Sequence, residues 1–372
     1  MKIVVAMDSF KRSLSAIEAS KAVAAGIERA YPRAEIEICP LADGGEGTVD
    51  VVVAARGGSW LETEVMGPLP NRRVMARFGE LPGRHMVLEM ARASGLELLA
   101  PQELDPLSTT TYGTGELLRA ALDRDPQKLW LAVGGSATVD GGVGAAMALG
   151  WKFLDGRGRE IGLGGSEIGK IRSIEPPEPR LAVPPLEVLC DVDNPLCGPR
   201  GAARAFAPQK GADTAAVERL ESHLENLADV VERELGVKLR DIPGGGAAGG
   251  LAAGAVAFLQ ARLVSGIDAV IEMTGLARQI EDADWIVTGE GRLDRQSLDG
   301  KVLSGVLRLA SVTGCRVAAV VGSVDLDRQD LEAAGLKDVE VSKPDRSGLD
   351  ESMKQAESLL ALAAERLALR RF

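Results

Sequence analysis

The sequence predicts an α/β protein: a doubly wound parallel sheet of the flavodoxin or Rossmann type, with a second, discontinuous α+β domain inserted into it. Short apolar runs alternate with helical patterns, which is typical of a parallel sheet with helices on both faces. Other short strands are separated by Gly-Pro, Pro-Asn and Pro-Gly turns, which indicates antiparallel pairing. The first set comprises Lys2–Met7, Glu35–Pro40, Leu129–Val133, Trp285–Val287, Arg316–Val321 and Val339–Val341, and the second Trp60–Val65, Arg72–Phe78 and Met86–Met90.

The two sets divide the chain into two expected domains. Residues 1–59, 105–150 and 244–372 are assigned to the parallel-sheet domain, and residues 60–104 and 151–243 to the inserted domain. Ligand sites often lie where two domains meet, so we expect the active site in the cleft between them.

Composition excludes several classes of protein. The chain has 372 residues and a net charge of −11, which argues against nucleic-acid or anionic-membrane partners. It begins on an apolar strand without a signal-peptide pattern, and no apolar run reaches the ~18 residues of a membrane span. The four cysteines fit no zinc pattern, and with two histidines a His-centred triad is not expected. A cytoplasmic enzyme is the simplest expectation.

The segment from Asp284 to Lys301 is the most informative. An apolar strand ends in a turn with two glycines, and Glu290, Arg292 and Asp294 follow within it. Open α/β sheets bind ligands beyond the carboxyl ends of their strands, where carboxylates suit a hard cation and arginine suits a phosphate. The simpler alternative is a polar loop that caps a helix at Ser297.

Two earlier strands end in the same way. Lys2–Met7 runs into Asp8 and then Lys11, just before a helix that Ser13 or Ser15 could cap. Glu35–Pro40 runs into a turn with three glycines that presents Asp43 and Glu46. A solvated lysine and ordinary turn-forming acids are the alternatives, although they do not explain the three glycines.

Two glycine-rich stretches are candidates for binding phosphate. Leu129–Val133 is followed by residues 134–142, with two hydroxyl residues and then a helix; this is the stronger candidate because backbone amides and a helix N-terminus favour anions. Residues 109–115 precede a helix predicted over Glu116–Leu122, and a plain N-cap cluster is the alternative there.

A further strand, Leu186–Leu189, ends near Asp191 and Asp193. Two aspartates at i and i+2 on an extended segment point the same way, so a shared metal ion or a metal beside a base is one interpretation. An Asx turn before Pro195 is the other. Lys210 is predicted in a loop further along the chain.

Two motif matches are rejected. Residues 164–170 match the P-loop pattern, but Ile171 stands where a Ser or Thr is needed, and no apolar strand precedes them. Residues 244–249 match G-x-G-x-x-G without a clear preceding strand. Carboxylates, glycines and loop lysines without a Walker loop then favour metal-assisted phosphoryl transfer, so the residues alone predict a phosphotransferase or another phosphate-ligand enzyme.

Seven motifs in order along the chain resemble those of the bacterial glycerate kinase family. They are Asp8-Ser9-Phe10-Lys11, residues 42–48, residues 111–116, residues 134–138, residues 190–196, residues 208–212 and residues 288–294. The resemblance implies ATP-dependent phosphorylation of D-glycerate with Mg²⁺ by two α/β domains around a cleft, and it favours the C2 hydroxyl. Arg12 stands where the family pattern leads us to expect glycine, and Val139 where we expect asparagine.

Roles follow from the resemblance as hypotheses. Asp191 or Asp43 accepts the hydroxyl proton, and Lys11 assists at the reacting centre. The residues expected to bind the substrate are Ser9, Lys11, Arg12, Asp43, Lys210 and Arg292. Those expected to bind the nucleotide are Gly113, Thr114, Gly134, Gly135, Ser136 and Thr138. Those expected to bind the metal ion are Asp193, Glu290 and Asp294.

Alternatives stay open at this point. They are a glycerate 3-kinase, a kinase of another small hydroxy acid, a Mg²⁺-dependent phosphatase and a non-catalytic nucleotide-binding regulator. A nicotinamide-dependent oxidoreductase would need a strand before Gly244. A homo-oligomer is also left open.

Overall fold

The computed structural model describes residues 1–298, 301–343 and 349–372, and the chain divides into two compact units. The first unit comprises Met1–Asp43, Asp50–Arg56 and Ile267–Phe372. The second unit comprises Gly44–Val49 and Gly57–Gly266. Among the described residues, no helix combines the length and apolar character that crossing a bilayer requires.

The strands are short, as the glycine and proline punctuation predicts. In chain order they are β1 (Lys2–Met7), β2 (Glu35–Ile38), β3 (Ser59–Met66), β4 (Arg73–Leu81), β5 (His85–Glu89), β6 (Lys128–Ala132), β7 (Lys152–Leu154), β8 (Ser173–Glu175), β9 (Leu186–Leu189), β10 (Arg262–Val264), β11 (Trp285–Gly289), β12 (Arg292–Leu293), β13 (Arg316–Val321), β14 (Ser323–Val324) and β15 (Leu336–Val341).

The helices range from one turn to six. In chain order they are α1 (Ala16–Ala30), α2 (Thr48–Arg56), α3 (Ala91–Ser94), α4 (Tyr112–Leu122), α5 (Val143–Ala148), α6 (Ala202–Phe206), α7 (Thr214–Leu235), α8 (Leu251–Leu259), α9 (Gly266–Thr274), α10 (Leu276–Gln279), α11 (Val302–Thr313), α12 (Arg328–Ala333), α13 (Leu349–Lys354) and α14 (Ala356–Arg371).

The first unit is built on a five-stranded parallel sheet in the order β15-β13-β11-β1-β2. Alternate residues of β1 bury Ile3 and Val5 against α1 and α14, while Val4 between them is also fully buried on the opposite face. Both faces of the sheet are therefore covered, which is why β1 reads as a continuous apolar run. Ser15 caps α1, and its amide in turn donates to the Glu18 carboxylate in a capping box.

The second unit holds a six-stranded mixed sheet in the order β10-β9-β6-β5-β4-β3. β10, β9, β6 and β5 are parallel, whereas β3, β4 and β5 pair antiparallel, as the turn-rich stretch predicted. Its core is a single apolar cluster into which α7 inserts Leu220, Leu224 and Leu227.

The predicted fold class is confirmed, but the division of the chain is different. Residues 105–150 and 244–266, assigned to the parallel-sheet domain, lie in the second unit. The reason is the pairing of β6, which lies between β5 and β9 rather than beside β1. A buried parallel strand has the same apolar sequence in either sheet, so its pattern cannot reveal which sheet it joins.

Candidate active site

Three acidic side chains of the first unit follow neighbouring strand ends. β1 pairs with β11 up to Met7 and Gly289, and the Asp8 amide then donates to the Gly289 carbonyl at 2.9 Å. Asp8 and Glu290 therefore leave the sheet side by side. On the other side of β1, the chain after β2 stays close to it, and the Leu41 amide donates to the Met7 carbonyl at 3.0 Å. Asp43 follows two residues later.

Asp8, Asp43 and Glu290 form what we call the acidic cluster, and burial shifts the pKa of two of its members, Asp8 and Glu290. Burial of the carboxyl, together with the charges of Asp43 and Glu290, raises the pKa of Asp8 to about 8, although the Ser9 amide and Lys11 oppose the shift. Burial also raises the pKa of Glu290, with smaller contributions from Asp294 and Asp43. Burial and neighbouring acids therefore disfavour the ionised form of Asp8 and Glu290, and a bound cation would favour it.

The donor set of the cluster suits only one mode of magnesium binding. Within the described ranges, no group of three or more His, Cys, Asp or Glu side chains is arranged to hold a metal ion. Mg²⁺ is usually held by one or two carboxylates together with water and substrate phosphates, rather than by a protein cage. Glu290 of this cluster fits that mode together with Asp294, whose charge acts on it.

The turn that follows β1 exposes two cations. Lys11 and Arg12 are both exposed, and the turn is closed by the Ser13 amide donating to the Phe10 carbonyl at 2.9 Å. Arg12 has φ of +66°, a left-handed conformation that glycine adopts freely and arginine does not. Ser9 donates its amide to the Asp8 carboxylate at 2.6 Å, and the charge of Lys11 acts on the same carboxyl, so these two predicted residues lie beside the acidic cluster.

Arg292 and Asp294 lie in the same unit but have partners of their own. The Arg292 Nε donates to Asp325 at 2.9 Å, and the guanidinium is otherwise largely exposed. Asp294 accepts from the Gln296 amide at 2.9 Å and so caps the turn before α11. The alternative of a helix cap at Ser297 is wrong in position, because Ser297 lies inside the 3-10 turn Arg295–Leu298 and Asp294 is the capping residue. The charge of Asp294 also bears on Glu290. Residues 299 and 300 of the segment lie outside the described residues.

Asp191 and Asp193 follow β9 in the second unit and have different environments. Asp191 is half-buried and accepts from the Gly266 amide at 2.7 Å. Asp193 is exposed and faces Arg200 at 3.3 Å. The prediction that the pair shares one metal ion gains no support from these partners.

The glycine-rich loop after β6, residues 134–142, is packed against its neighbours. A Cβ on Gly134 would stand 2.6 Å from the Gly45 Cα, and Gly135 has φ of +73°, so both positions require glycine. Ser136 and Thr138 are buried, and the Thr138 hydroxyl finds no hydrogen-bond partner among the residues that the structure describes. The loop is a formed structure, and its close approach to the turn at Gly45 shows why small residues cluster there.

Lys210 does not stand in an open loop, contrary to the sequence interpretation. It ends the 3-10 turn Pro208–Lys210, and its side chain is only 2% exposed. Its Nζ donates to the Ser136 Oγ and to the Thr138 carbonyl, each at 2.7 Å. The amine is therefore engaged with the glycine-rich loop, and direct substrate contact is not favoured by this position.

Gly113 and Thr114 have structural roles. α4 begins at Tyr112, earlier than predicted, so both residues lie inside the helix. A Cβ on Gly113 would stand 1.7 Å from the Met66 carbonyl oxygen, and the Thr114 hydroxyl donates to Ser94 at 2.8 Å. The start of α4 is already occupied by the carboxylate of Asp140, which accepts from the Thr111 amide at 2.7 Å. This site does not favour a phosphate.

Val139 stands where the family pattern leads us to expect asparagine, and the structure shows its environment. Its side chain is fully buried in the core of the second unit, so the residue removes nothing from a surface that could hold a ligand.

Asp8 is the residue that the sequence interpretation left without a role. The signal was present, since Asp8 follows its strand directly, as Glu290 follows β11.

Comparison with known proteins finds relatives that match nearly the full length of this chain. Residues 3–371 match the model of the glycerate kinase family. A glycerate kinase of Bacillus subtilis is 43% identical over 99% of this chain and 97% of its own length. A glycerate 2-kinase of Escherichia coli is 41% identical over 99% of this chain and 97% of its own.

A solved structure agrees with the sequence comparison. It comes from Salmonella typhimurium LT2, and its assignment as a glycerate kinase 2 is provisional. It shares 41% identity with this chain, covers 100% of it and 98% of its own chain, and superimposes with a TM-score of 0.86. The chain is therefore a phosphotransferase that belongs to the glycerate kinase family.

Proposed function

We propose that this protein transfers the terminal phosphoryl group of ATP to the C2 hydroxyl of D-glycerate, giving 2-phosphoglycerate and ADP. The observation that carries the proposal is the family match over residues 3–371, on a chain whose acidic cluster lies at neighbouring parallel strand ends. The name of the Escherichia coli relative, glycerate 2-kinase, supports C2 rather than C3.

The reaction needs a base for the attacking hydroxyl. The hydroxyl oxygen of glycerate forms a bond to the terminal phosphorus, the bond to the bridging oxygen of ADP breaks, and the hydroxyl proton passes to a carboxylate. We assign the proton acceptor as Asp43 or Asp191. Asp8 is a poorer choice, because a pKa of about 8 keeps it protonated at neutral pH.

A magnesium ion fits the acidic residues of the first unit. When bound, it neutralises phosphate charge and orients the transferred group. We assign Glu290 and Asp294 to it; the charge of Asp294 acts on Glu290, and phosphate and water would complete the coordination. Asp193 stays a third predicted ligand, now paired with Arg200.

The remaining groups divide between substrate and nucleotide. We assign the glycerate carboxylate to the turn after β1, which carries Ser9, Lys11 and Arg12, since exposed cations suit a small anion. Arg292 stays a proposed phosphoryl contact. The nucleotide phosphates are assigned to the amides of Gly134 and Gly135 and to Ser136, while Gly113, Thr114 and Thr138 support packing.

Phosphorus NMR tests the proposal directly. The protein is incubated with ATP, Mg²⁺ and D-glycerate, with a parallel sample that lacks glycerate. A new monoester resonance at the position of 2-phosphoglycerate, present only with glycerate, is the expected result. The resonance of 3-phosphoglycerate would keep the kinase and overturn the C2 assignment, whereas inorganic phosphate alone would identify a phosphatase.

A further inference from the structure

Lys210 reaches the glycine-rich loop from a separate part of the second unit. It ends the 3-10 turn Pro208–Lys210, and Gly211 follows with φ of +98°, packed against the Leu104 carbonyl, so the turn leaves little freedom to the lysine backbone. The lysine stem is buried, and its amine donates at 2.7 Å to both Ser136 and Thr138. Two points of the loop are thus held by one side chain.

The far end of the same loop is held by a second buried charge. Asp140 is 1% exposed and accepts from the amides of Thr111 at 2.7 Å and Gly142 at 3.1 Å. Its charge also acts on the Lys210 amine. Buried charges are costly unless paired and hydrogen-bonded, so a lysine kept at this depth calls for a reason beyond packing.

We propose that Lys210 is a positioning residue, which holds the loop and delivers its positive charge to a bound phosphate through the Ser136 hydroxyl, without touching the ligand. The inference rests on the proposed nucleotide role of this loop. The Ser136 oxygen accepts a hydrogen bond from Lys210, so its own hydrogen is directed to another acceptor. A hydroxyl that accepts from a cation is polarised and donates more strongly to an anion.

Protonation distinguishes this role from simple packing. Burial lowers the pKa of Lys210 to about 7, and the charge of Asp140 only partly opposes the shift. The neutral amine still has two hydrogens, enough for Ser136 and Thr138, so the loop is retained above neutral pH. The positive charge is present below pH ~7 and is lost above it, and only a role in holding an anion depends on that charge.

The first test is the variant Lys210→Met, with Lys170→Met as the matched control. Met keeps most of the stem volume, and Lys170 is an exposed lysine of the same unit paired with Glu167. Calorimetric titration with a non-hydrolysable ATP analogue should show binding weakened about 10- to 100-fold in K210M, the range expected for one charge-assisted hydrogen bond. K170M should bind as the parent does, and KM for D-glycerate should change far less than KM for ATP.

The pH dependence is the second readout. The affinity ratio between the parent protein and K210M should be larger at pH 6 than at pH 8, because the parent amine is charged only at the lower pH. Unchanged analogue binding at both pH values, or a rise confined to KM for D-glycerate, would overturn the inference.

A second variant guards against misfolding of the first. If K210M does not fold, Ser136→Ala keeps the lysine and removes the intermediary hydroxyl, so analogue binding should weaken and lose its dependence on pH between 6 and 8. Retained pH-dependent binding in S136A would contradict the inference. Because analogue binding needs no glycerate, these outcomes are independent of whether the parent enzyme phosphorylates D-glycerate.

Discussion

The amide of Asp8 donates a hydrogen bond of 2.9 Å to the carbonyl of Gly289, the residue before Glu290. This bond extends the pairing by one residue beyond β1, to the last residue of β11. Two acids that are 282 positions apart in the chain therefore leave the sheet together. Burial raises the pKa of each carboxyl, and the charge of Glu290 adds to the shift of Asp8. The sheet register, rather than any local motif, builds the acidic cluster.

The raised pKa of Asp8 predicts how stability changes with pH. An unfolded aspartate titrates near pH ~4, whereas folded Asp8 holds its proton to about pH 8. Between these values the folded protein binds one more proton than the unfolded chain, so the free energy of unfolding falls as pH rises. Asp8→Asn removes that slope, and its stability relative to the parent should increase from pH 5 to pH 8.5 in urea unfolding.

Asp282 offers a control of opposite sign in the same unit. Its hydrogen bond with Lys2 lowers the pKa of the carboxyl, so the interaction stabilises above the unfolded pKa and is lost as pH falls. Asp282→Asn should therefore show no gain at high pH. Parallel stability curves for D8N and the parent protein across the range would contradict the account of Asp8.

Arg12 predicts a gain in stability on mutation to glycine. At φ of +66° an arginine side chain crowds its own backbone, and Arg12→Gly relieves roughly 1–2 kcal/mol, partly offset by the greater freedom of glycine in the unfolded chain. A net gain of about 0.5–1 kcal/mol is expected in urea unfolding. Arg33→Gly, in an exposed turn without positive φ, should lose stability instead.

The same variant tests the function of Arg12. If its charge helps to hold the substrate carboxylate, R12G should raise KM for D-glycerate while kcat is retained. A more stable variant with unchanged KM would leave Arg12 as a strained turn residue without a role in binding.

The sequence predicted the bounds of individual strands better than it predicted which strands pair in a sheet. β1 and β13 have the predicted bounds, because apolar runs that end in polar turns mark buried strands clearly. β6 was predicted as a strand but assigned to the wrong sheet, since pairing depends on distant residues such as those of β5 and β9. Strand order is a long-range property that a local pattern does not contain.

The candidate site shows the same limit. Acids after strand ends could be found from the sequence, and Glu290 and Asp43 were. The burial of Lys210 could not, because a lysine before a glycine in a proline-containing loop normally indicates exposure. Gly113 was assigned to phosphate binding, although the close approach of the Met66 carbonyl explains why a glycine is needed there. That contact joins residues 47 positions apart in the chain, so a local pattern does not reveal it.

Gly113 gives a prediction that separates packing from nucleotide binding. Gly113→Ala would place a Cβ 1.7 Å from the Met66 carbonyl, so the backbone must move, at a cost of about 3 kcal/mol. Thermal unfolding should show the loss, while KM for ATP of the folded fraction should match the parent value. Gly156→Ala is the control, since the nearest atom there is an Arg172 side-chain carbon at 3.8 Å. A folded G113A with normal stability and raised KM for ATP would restore the nucleotide role.

The choice of base is tested by Asp43→Asn and Asp191→Asn. Amide replacement keeps the size of the side chain and removes its ability to take up a proton, so the variant that lacks the base should lose kcat by about 10²–10⁴-fold with a smaller change in KM. Asp43 lies in the acidic cluster, whereas Asp191 accepts from the Gly266 amide, a hydrogen bond that an asparagine oxygen can also accept. Asp125→Asn is the control, because that side chain is exposed and pairs with Arg84. Near-normal kcat in both D43N and D191N would exclude both assignments and leave the proton to solvent or to the phosphate itself.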